Sequence, residues 1–351
     1  MTNHEYIDFL EQNQFLPRED LRVLLDRHDE TDAAYLFERA RAVRERFYGK
    51  AVYLRGLIEF SSHCKNDCYY CGLRRSNPAA ERYRLTKEEI LFCCAEGYEL
   101  GFRTFVLQSG EDPWFTDERM TDIVAAIRAA HPDCAITLSL GERSRESYAA
   151  LFAAGADRYL LRHETANAAH YARLHPDELR LTTRMDCLRT LREIGYQVGC
   201  GFMVGSPGQT TDCLLDDLGF LREFQPEMVG IGPFLPHHGT PFAGEAAGTL
   251  EQTLFLLGIL RLLLPAVLLP ATTALGTVHA TGREQGLRAG ANIVMPNLSP
   301  VGVRKKYLLY DNKICTGEEA AECRVCLQRR VEGAGYEIVA SRGDPISIST
   351  G

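Results

Sequence analysis

The sequence predicts a (β/α)8 TIM-type barrel, and three observations carry that prediction. Eight short apolar runs have strand character, most gaps between them hold an amphipathic stretch of helical length, and no glycine-rich dinucleotide fingerprint follows the first run. Alternating strand and helix patterns are the mark of a parallel sheet. An open doubly wound sheet shares the alternation, but it would use such a fingerprint, so eight units favour the closed barrel.

The elements follow in order. Glu5 to Phe47 carries helix-period patterning with charged faces, so residues 1–50 are read as an N-terminal helical cap. The strand runs are Arg55 to Phe60, Thr104 to Gln108, Ala135 to Leu140, Arg158 to Arg162, Val198 to Val204, Met228 to Gly232, Leu268 to Thr272 and Asn292 to Met295. Glu118 to Ala130 and Leu214 to Phe224 exemplify the amphipathic gaps. Residues 51–300 therefore form the barrel, and 301–351 a C-terminal extension folding over one end. The longest apolar run, Leu254 to Leu269, is broken by Arg261 and Pro265 and is too short to cross a bilayer. It is read as a buried helix running into a strand.

Composition narrows the function classes. In 351 residues, 45% hydrophobic, a net charge of -8 gives no electrostatic reason to expect a nucleic-acid partner, and no membrane partner is indicated. No apolar signal core precedes Lys50, so the expected location is the cytoplasm. There the 12 cysteines stay reduced, and their grouping becomes informative. Cys93, Cys94, Cys134, Cys187, Cys200 and Cys213 are scattered through apolar segments and are read as small core hydrophobes.

Cys64, Cys68 and Cys71 follow the first strand at C-x3-C-x2-C spacing. A zinc knuckle wants a fourth protein ligand, and His63 is adjacent to Cys64 and poorly placed. A plain electron-transfer cluster wants a fourth cysteine, but the next is Cys93. Three thiolates on a 4Fe-4S cube leave one iron open. S-adenosylmethionine (SAM) chelating that iron by its amino and carboxylate groups, followed by electron injection, yields a 5'-deoxyadenosyl radical. The three cysteines are thus read as the catalytic metal ligands.

Strand ends in a parallel barrel collect functional groups. Gln108, Gly110 and Glu111 end the second run, with Gly110 letting backbone approach a ligand, while Thr137 and Ser139 lie on the third. Arg162 and Glu164 are two residues apart and so share a strand face, where a cation and a carboxylate suit a zwitterion. An ordinary ion pair is the plainer reading. Arg184 is placed to hold the SAM carboxylate. Met203 and Met295 are candidate walls for adenine or sulfonium, or plain core. Gly205 to Gln209 reads as a tight turn, and His237 and His238 as exposed or hydrogen-bonding loop residues rather than a metal site.

Cys315, Cys323 and Cys326 repeat the theme at C-x7-C-x2-C in the extension. A second iron-sulfur cluster is the leading reading. Zinc is weakened because no histidine follows His279.

With these residues in view, the chain resembles the radical SAM maturases of the HydE family, which act in FeFe-hydrogenase assembly. The likeness runs through Cys64 to Arg75, Leu107 to Pro113, Leu161 to Asn167, Gly205 to Gln209, Met228 to Phe234, Pro270 to Thr277, Ala291 to Pro300 and Leu309 to Cys315, and through the tail spacing. The resemblance implies a complete barrel with a closed cavity, SAM ligands at Arg162, Glu164 and Arg184, a polar floor at Thr137, Thr272 and Thr273, and chamber tyrosines at Tyr307 and Tyr310. It also implies a small sulfur- or iron-containing substrate, an electron donor such as a ferredoxin or flavodoxin, and other hydrogenase maturases as partners. Two alternatives stand beside it: a lysine mutase similar to methylornithine synthase, and a non-catalytic iron-sulfur carrier. The tail cysteines favour the maturase over the mutase, and the set of apparent SAM ligands opposes the carrier.

Overall fold

The computed structural model describes residues 1–315 and 320–346, without the side chains of 320–323. The chain opens with three helices, α1 (Asn3–Asn13), α2 (Arg18–Arg27) and α3 (Glu30–Tyr48). Reciprocal capping by Thr2 with Glu5 and by Asp29 with Asp32 satisfies the free amides at the starts of α1 and α3.

The short strand β1 (Ala51–Leu54) precedes β2 (Gly56–Ser61). Strands and helices then alternate as α4 (Lys87–Glu99), β3 (Thr104–Ser109), α5 (Asp117–Ala130), β4 (Ala135–Ser139), α6 (Arg145–Ala153), β5 (Arg158–Leu160), α7 (Ala168–Leu174), α8 (Leu181–Ile194), β6 (Gln197–Cys200), β7 (Met203–Val204), α9 (Thr211–Phe224), β8 (Met228–Val229) and β9 (Gly232–Pro233). After them come α10 (Leu250–Leu263), α11 (Thr273–Val278), α12 (Gly282–Arg288), β10 (Ile293–Val294), α13 (Val301–Arg304), α14 (Ala320–Gly333) and β11 (Glu337–Val339).

The architecture is α/β, built on a parallel six-stranded sheet ordered β2-β3-β4-β5-β6-β8. Beyond β8 the pairing continues as single parallel bridges, Met228 with Leu268, Pro270 with Ile293, and Leu57 with Asn297. The run expected as a strand at Leu268 to Thr272 therefore contributes bridges, and Thr273 instead starts α11. β1 stands between β10 and β11 in a separate parallel sheet.

Two expected strands are each split, Val198 to Val204 into β6 and β7, and Met228 to Gly232 into β8 and β9. Gly201 lies at the break with φ +148, and a Cβ there would stand 2.0 Å from the Gly230 carbonyl oxygen. The two chains cross too closely for a side chain, which kinks both.

Leu254 to Leu269 resolves as expected into a helix, α10, followed by bridging backbone, and no helix among the described residues is long and apolar enough to cross a membrane. Arg261 is fully buried there, its guanidinium donating to the carbonyls of Gly290, Pro265 and Val267. Gly258 lets α10 approach α3, since a Cβ would meet Leu36 at 2.8 Å. α2 is tied to α9 by Arg18 and Arg22 on Asp212 and by Arg18 on Asp216.

At the amino ends of the strands the extension closes the sheet. Thr104 Oγ1 donates to the Arg342 carbonyl at 2.8 Å, Arg158 meets Asp344 at 2.6 Å, and Arg342 meets Asp157 at 3.0 Å. The carboxyl ends are left for the site.

Candidate functional site

The cysteine loop leaves β2 without regular structure and is fixed by its own polar groups. Gly110 N–H donates to the Ser61 carbonyl at 3.2 Å, Lys65 N–H to Glu111 at 2.9 Å, and Gly72 N–H to Leu309 at 2.9 Å. Asp67 accepts from Arg74 Nε at 2.8 Å and from the Ser76 amide and hydroxyl, and the Arg74 bond holds its carboxyl below the usual range. Arg82 crosses the loop to the carbonyls of Ser62, Leu73 and Arg74. A Cβ on Gly110 would lie 2.3 Å from the His63 carbonyl and 2.8 Å from Cys64 Cβ. The neighbour that needs this glycine is the cysteine loop itself.

Cys64, Cys68 and Cys71 line one cavity of about 300 Å³. Burial pushes all three thiols up, Cys71 to about 12, and the other two cysteines add to the rise at Cys68. Thiols so placed hold their protons until a multivalent metal centre binds the sulfurs as thiolates and the protons are released. Three converging sulfurs thus fit an iron-sulfur cube with one open iron.

The same cavity is lined by Gln108, Gly110, Glu111, Ser139, Arg162, Glu164, Arg184, Met203, Thr272, Tyr307 and Tyr310. Arg162 Nη2 and Glu164 Oε2 face each other at 3.0 Å as an ion pair off hydrogen-bonding alignment, and Arg162 Nε and Thr272 Oγ1 are buried with no hydrogen-bond partner among the described residues. This is polar valence facing an interior space, suited to the zwitterionic end of SAM. Arg162 and Glu164 face together because Glu164 turns into the left-handed region at φ +65, not because of strand alternation.

Arg184, from α8, is buried and donates to Glu142 Oε1 at 2.6 Å and to the Arg162 carbonyl at 2.9 Å. Burial acts to lower its pKa, but Tyr171, Glu142 and Glu111 outweigh this and raise it, so the guanidinium stays charged. Glu111 is engaged elsewhere, by Lys65 at 3.3 Å and by the Glu142 amide at 3.0 Å, and so joins the cysteine loop to the end of β4. Tyr307 accepts from Gln108 Nε2 at 3.4 Å.

Three sequence-read residues lie elsewhere. Thr137 is buried beneath the chamber beside Arg55, whose Nε and Nη2 are also unpartnered. Met295 packs with Tyr48, Met228, Leu268 and Ile293 as core. Thr273 is spent on α11 and returns its carbonyl to Thr277 Oγ1. Sequence reasoning passed over Tyr70, a chamber residue inside the cysteine motif, whose hydroxyl meets His175 Nε2 at 3.3 Å. It also missed Glu142, the partner of Arg184, and Phe234 on the wall. Tyr70 was findable from the motif; Glu142 carries no local signal.

Of the two histidines expected as exposed or hydrogen-bonding loop residues, His237 is buried and hydrogen-bonded, whereas His238 is exposed. Both reach Asp311, His238 Nδ1 at 2.8 Å and His237 Nε2 at 3.8 Å, in an arrangement that could hold a metal ion. However, the Gly239 amide donates to His237 Nδ1 at 2.9 Å, which leaves the proton on Nε2, and it is His238 that hydrogen-bonds Asp311, through its amide and Nδ1. In the tail, Cys315 and Cys326 both lie within electrostatic reach of Arg330, and the Cys323 side chain is outside the described residues.

Fold and site together define a radical SAM enzyme, and residues 58–221 match the Radical SAM superfamily model. The chain is 46% identical to the [FeFe] hydrogenase maturase subunit HydE of Thermotoga maritima over 95% of both chains, and it belongs to the HydE family. It is also 30% identical to 3-methylornithine synthase of Methanosarcina acetivorans, covering 92% of this chain and 90% of that one. Among solved structures, methylornithine synthase superposes with a TM-score of 0.85 at 28% identity, over 95% of this chain and 97% of that chain. The family uses a 4Fe-4S cluster and SAM.

Proposed function

We propose that this enzyme acts in FeFe-hydrogenase maturation on a small sulfur- or iron-containing substrate, with Cys64, Cys68 and Cys71 holding the cluster. The observation that carries the site is the convergence of these cysteines with the Arg162–Glu164 ion pair and the unpartnered Thr272 hydroxyl in one cavity. Arg162, Glu164 and Arg184 bind the amino-acid end of SAM, and Tyr307 and Tyr310 wall the reaction space away from water. When bound, cluster and SAM supply a carbon-centred radical. The protein's part is to hold both partners, keep the cavity dry and present few polar groups to the substrate.

The full (β/α)8 closure is part of this reading, supported by the three bridges that run from β8 round to Leu57. So are the division into cap (1–50), barrel (51–300) and extension (301–351), a cytoplasmic location, an electron-donor protein and neighbouring maturases as partners. A second iron-sulfur cluster on Cys315, Cys323 and Cys326 belongs to the same reading, supported by their C-x7-C-x2-C spacing.

The test is anaerobic reconstitution with dithionite and SAM. Cys68→Ser should lose 5'-deoxyadenosine formation and about four irons, while Cys323→Ala should lose about four irons from a total near eight. Retained 5'-deoxyadenosine in Cys68→Ser refutes the site. Unchanged iron in Cys323→Ala refutes the second cluster, and methylornithine formed from added lysine refutes the maturase reading.

A further inference from the structure

We propose that Asp217 and His163, neither of which lines the chamber, are positioning residues that staple the backbone on both sides of Glu164 and so set the Arg162–Glu164 pair for its ligand. This rests on the assignment of Glu164 to SAM binding. Among the described residues five non-glycine positions have positive φ, and Glu164 alone of them lines the chamber. An L-residue is held there only where its surroundings over-determine the conformation.

Those surroundings are visible. Glu164 N–H donates to Gly201 at 3.0 Å, and Met203 N–H donates to the Glu164 carbonyl at 3.2 Å. Asp217, fully buried on α9, uses Oδ1 twice, accepting from the Ala166 amide at 2.5 Å and meeting His163 Nε2 at 3.2 Å. The Gly201 amide donates to His163 Nδ1 at 3.3 Å, so the imidazole proton sits on Nε2 and points at Asp217. Burial lowers His163 to about 3, which keeps the ring neutral, and burial also raises Asp217.

One carboxylate oxygen therefore grips the residue before Glu164 and the second residue after it. The neighbouring Asp216 holds Asn167 Nδ2 at 2.8 Å, extending the grip by a residue. Asp217 Oδ2 has no hydrogen-bond partner among the described residues. A buried carboxyl with an idle oxygen is a poor device for stability, since an apolar side chain would pack there at lower cost. It is a good device for fixing a turn.

Relaxing a left-handed residue to the ordinary region corresponds to about a tenfold change in the binding-competent population. In the full-length, iron-loaded protein, Asp217→Leu and His163→Leu should raise the SAM dissociation constant about tenfold by equilibrium dialysis, with iron content unchanged. They should also speed amide exchange at residues 164–166 before SAM is added. His163→Gln, whose amide nitrogen reaches the place of Nε2, should restore both within about threefold. Unchanged exchange and SAM affinity in Asp217→Leu overturn the proposal, and should that variant not fold, the His163 pair decides it in the same way. Wild-type SAM affinity in Glu164→Gln overturns instead the assignment of Glu164 to SAM, while the exchange measurement continues to test the staple.

Discussion

Lys313→Met removes one charge from a buried pair that straps the extension over the chamber. Lys313 Nζ donates to Glu59 Oε1 and to the Tyr307 carbonyl at 2.9 Å, and Asn297 Nδ2 donates to Glu59 Oε2 at 2.8 Å. The Lys313 side chain is 7% exposed and that of Glu59 1%. Methionine keeps most of the stem volume, so the loss is chiefly electrostatic, leaving the Glu59 carboxylate with Asn297 alone. Breaking one partner of such a pair costs about 3 kcal/mol. An unfolding entropy of about 2.1 cal/mol/K per residue over 351 residues gives about 0.7 kcal/mol/K, hence a fall in Tm of about 4 °C. Adding Glu59→Gln, which retains an acceptor for Asn297, should recover more than half of that loss. Calorimetry on the iron-loaded wild type, both single variants and the double gives the coupling directly. A Lys313→Met Tm within about 1 °C of wild type, or a double variant equal to the sum of the singles, refutes the strap.

Gly110→Ala should fold but load poorly, because the new methyl meets the His63 carbonyl and pushes Cys64 away from its partners, at a cost of about 1–3 kcal/mol. Full iron content at the first motif would contradict this. The Asp344 carboxyl is raised by burial but drawn down more strongly by its bonds to Arg158, to about 2. A depressed carboxyl contributes stability above its unfolded pKa, and that contribution is lost as pH falls through the folded value. Wild type should therefore exceed Asp344→Asn by about 1 kcal/mol at pH 6, a figure reduced for its partial exposure, and the gap should close between about pH 4 and 2. A gap that persists at pH 2 in chemical denaturation would show the Arg158 pair is not its source.

The cysteine motif and most strands were legible because thiol spacing and apolar runs are local signals. The split strands were not, since the approach of Gly201 to Gly230 joins residues distant in sequence. β1 and β11 were missed because each is stable only beside the other and β10, with no alternation of its own. Within the site, Arg162 and Glu164 were found through an argument about strand faces, whereas a left-handed turn brings them together. Thr137 and Thr272 were both read as floor, and the structure separates them into a lower void and the chamber. Thr273 falls to the first turn of α11, with Thr272 at its N-cap, a position that suits threonine as readily as a strand end.

The pairing of β1 with β11 brings Ala51 beside Glu337 and Tyr53 beside Val339. Contacts this distant in sequence cannot form while the chain is still emerging from the ribosome, and topologies dominated by them fold slowly. The cysteine loop is synthesised early but gains its backing from Leu309 and its cover from Tyr307 late. Until then the three thiols lack both, so the finished chamber depends on the docked end of the chain.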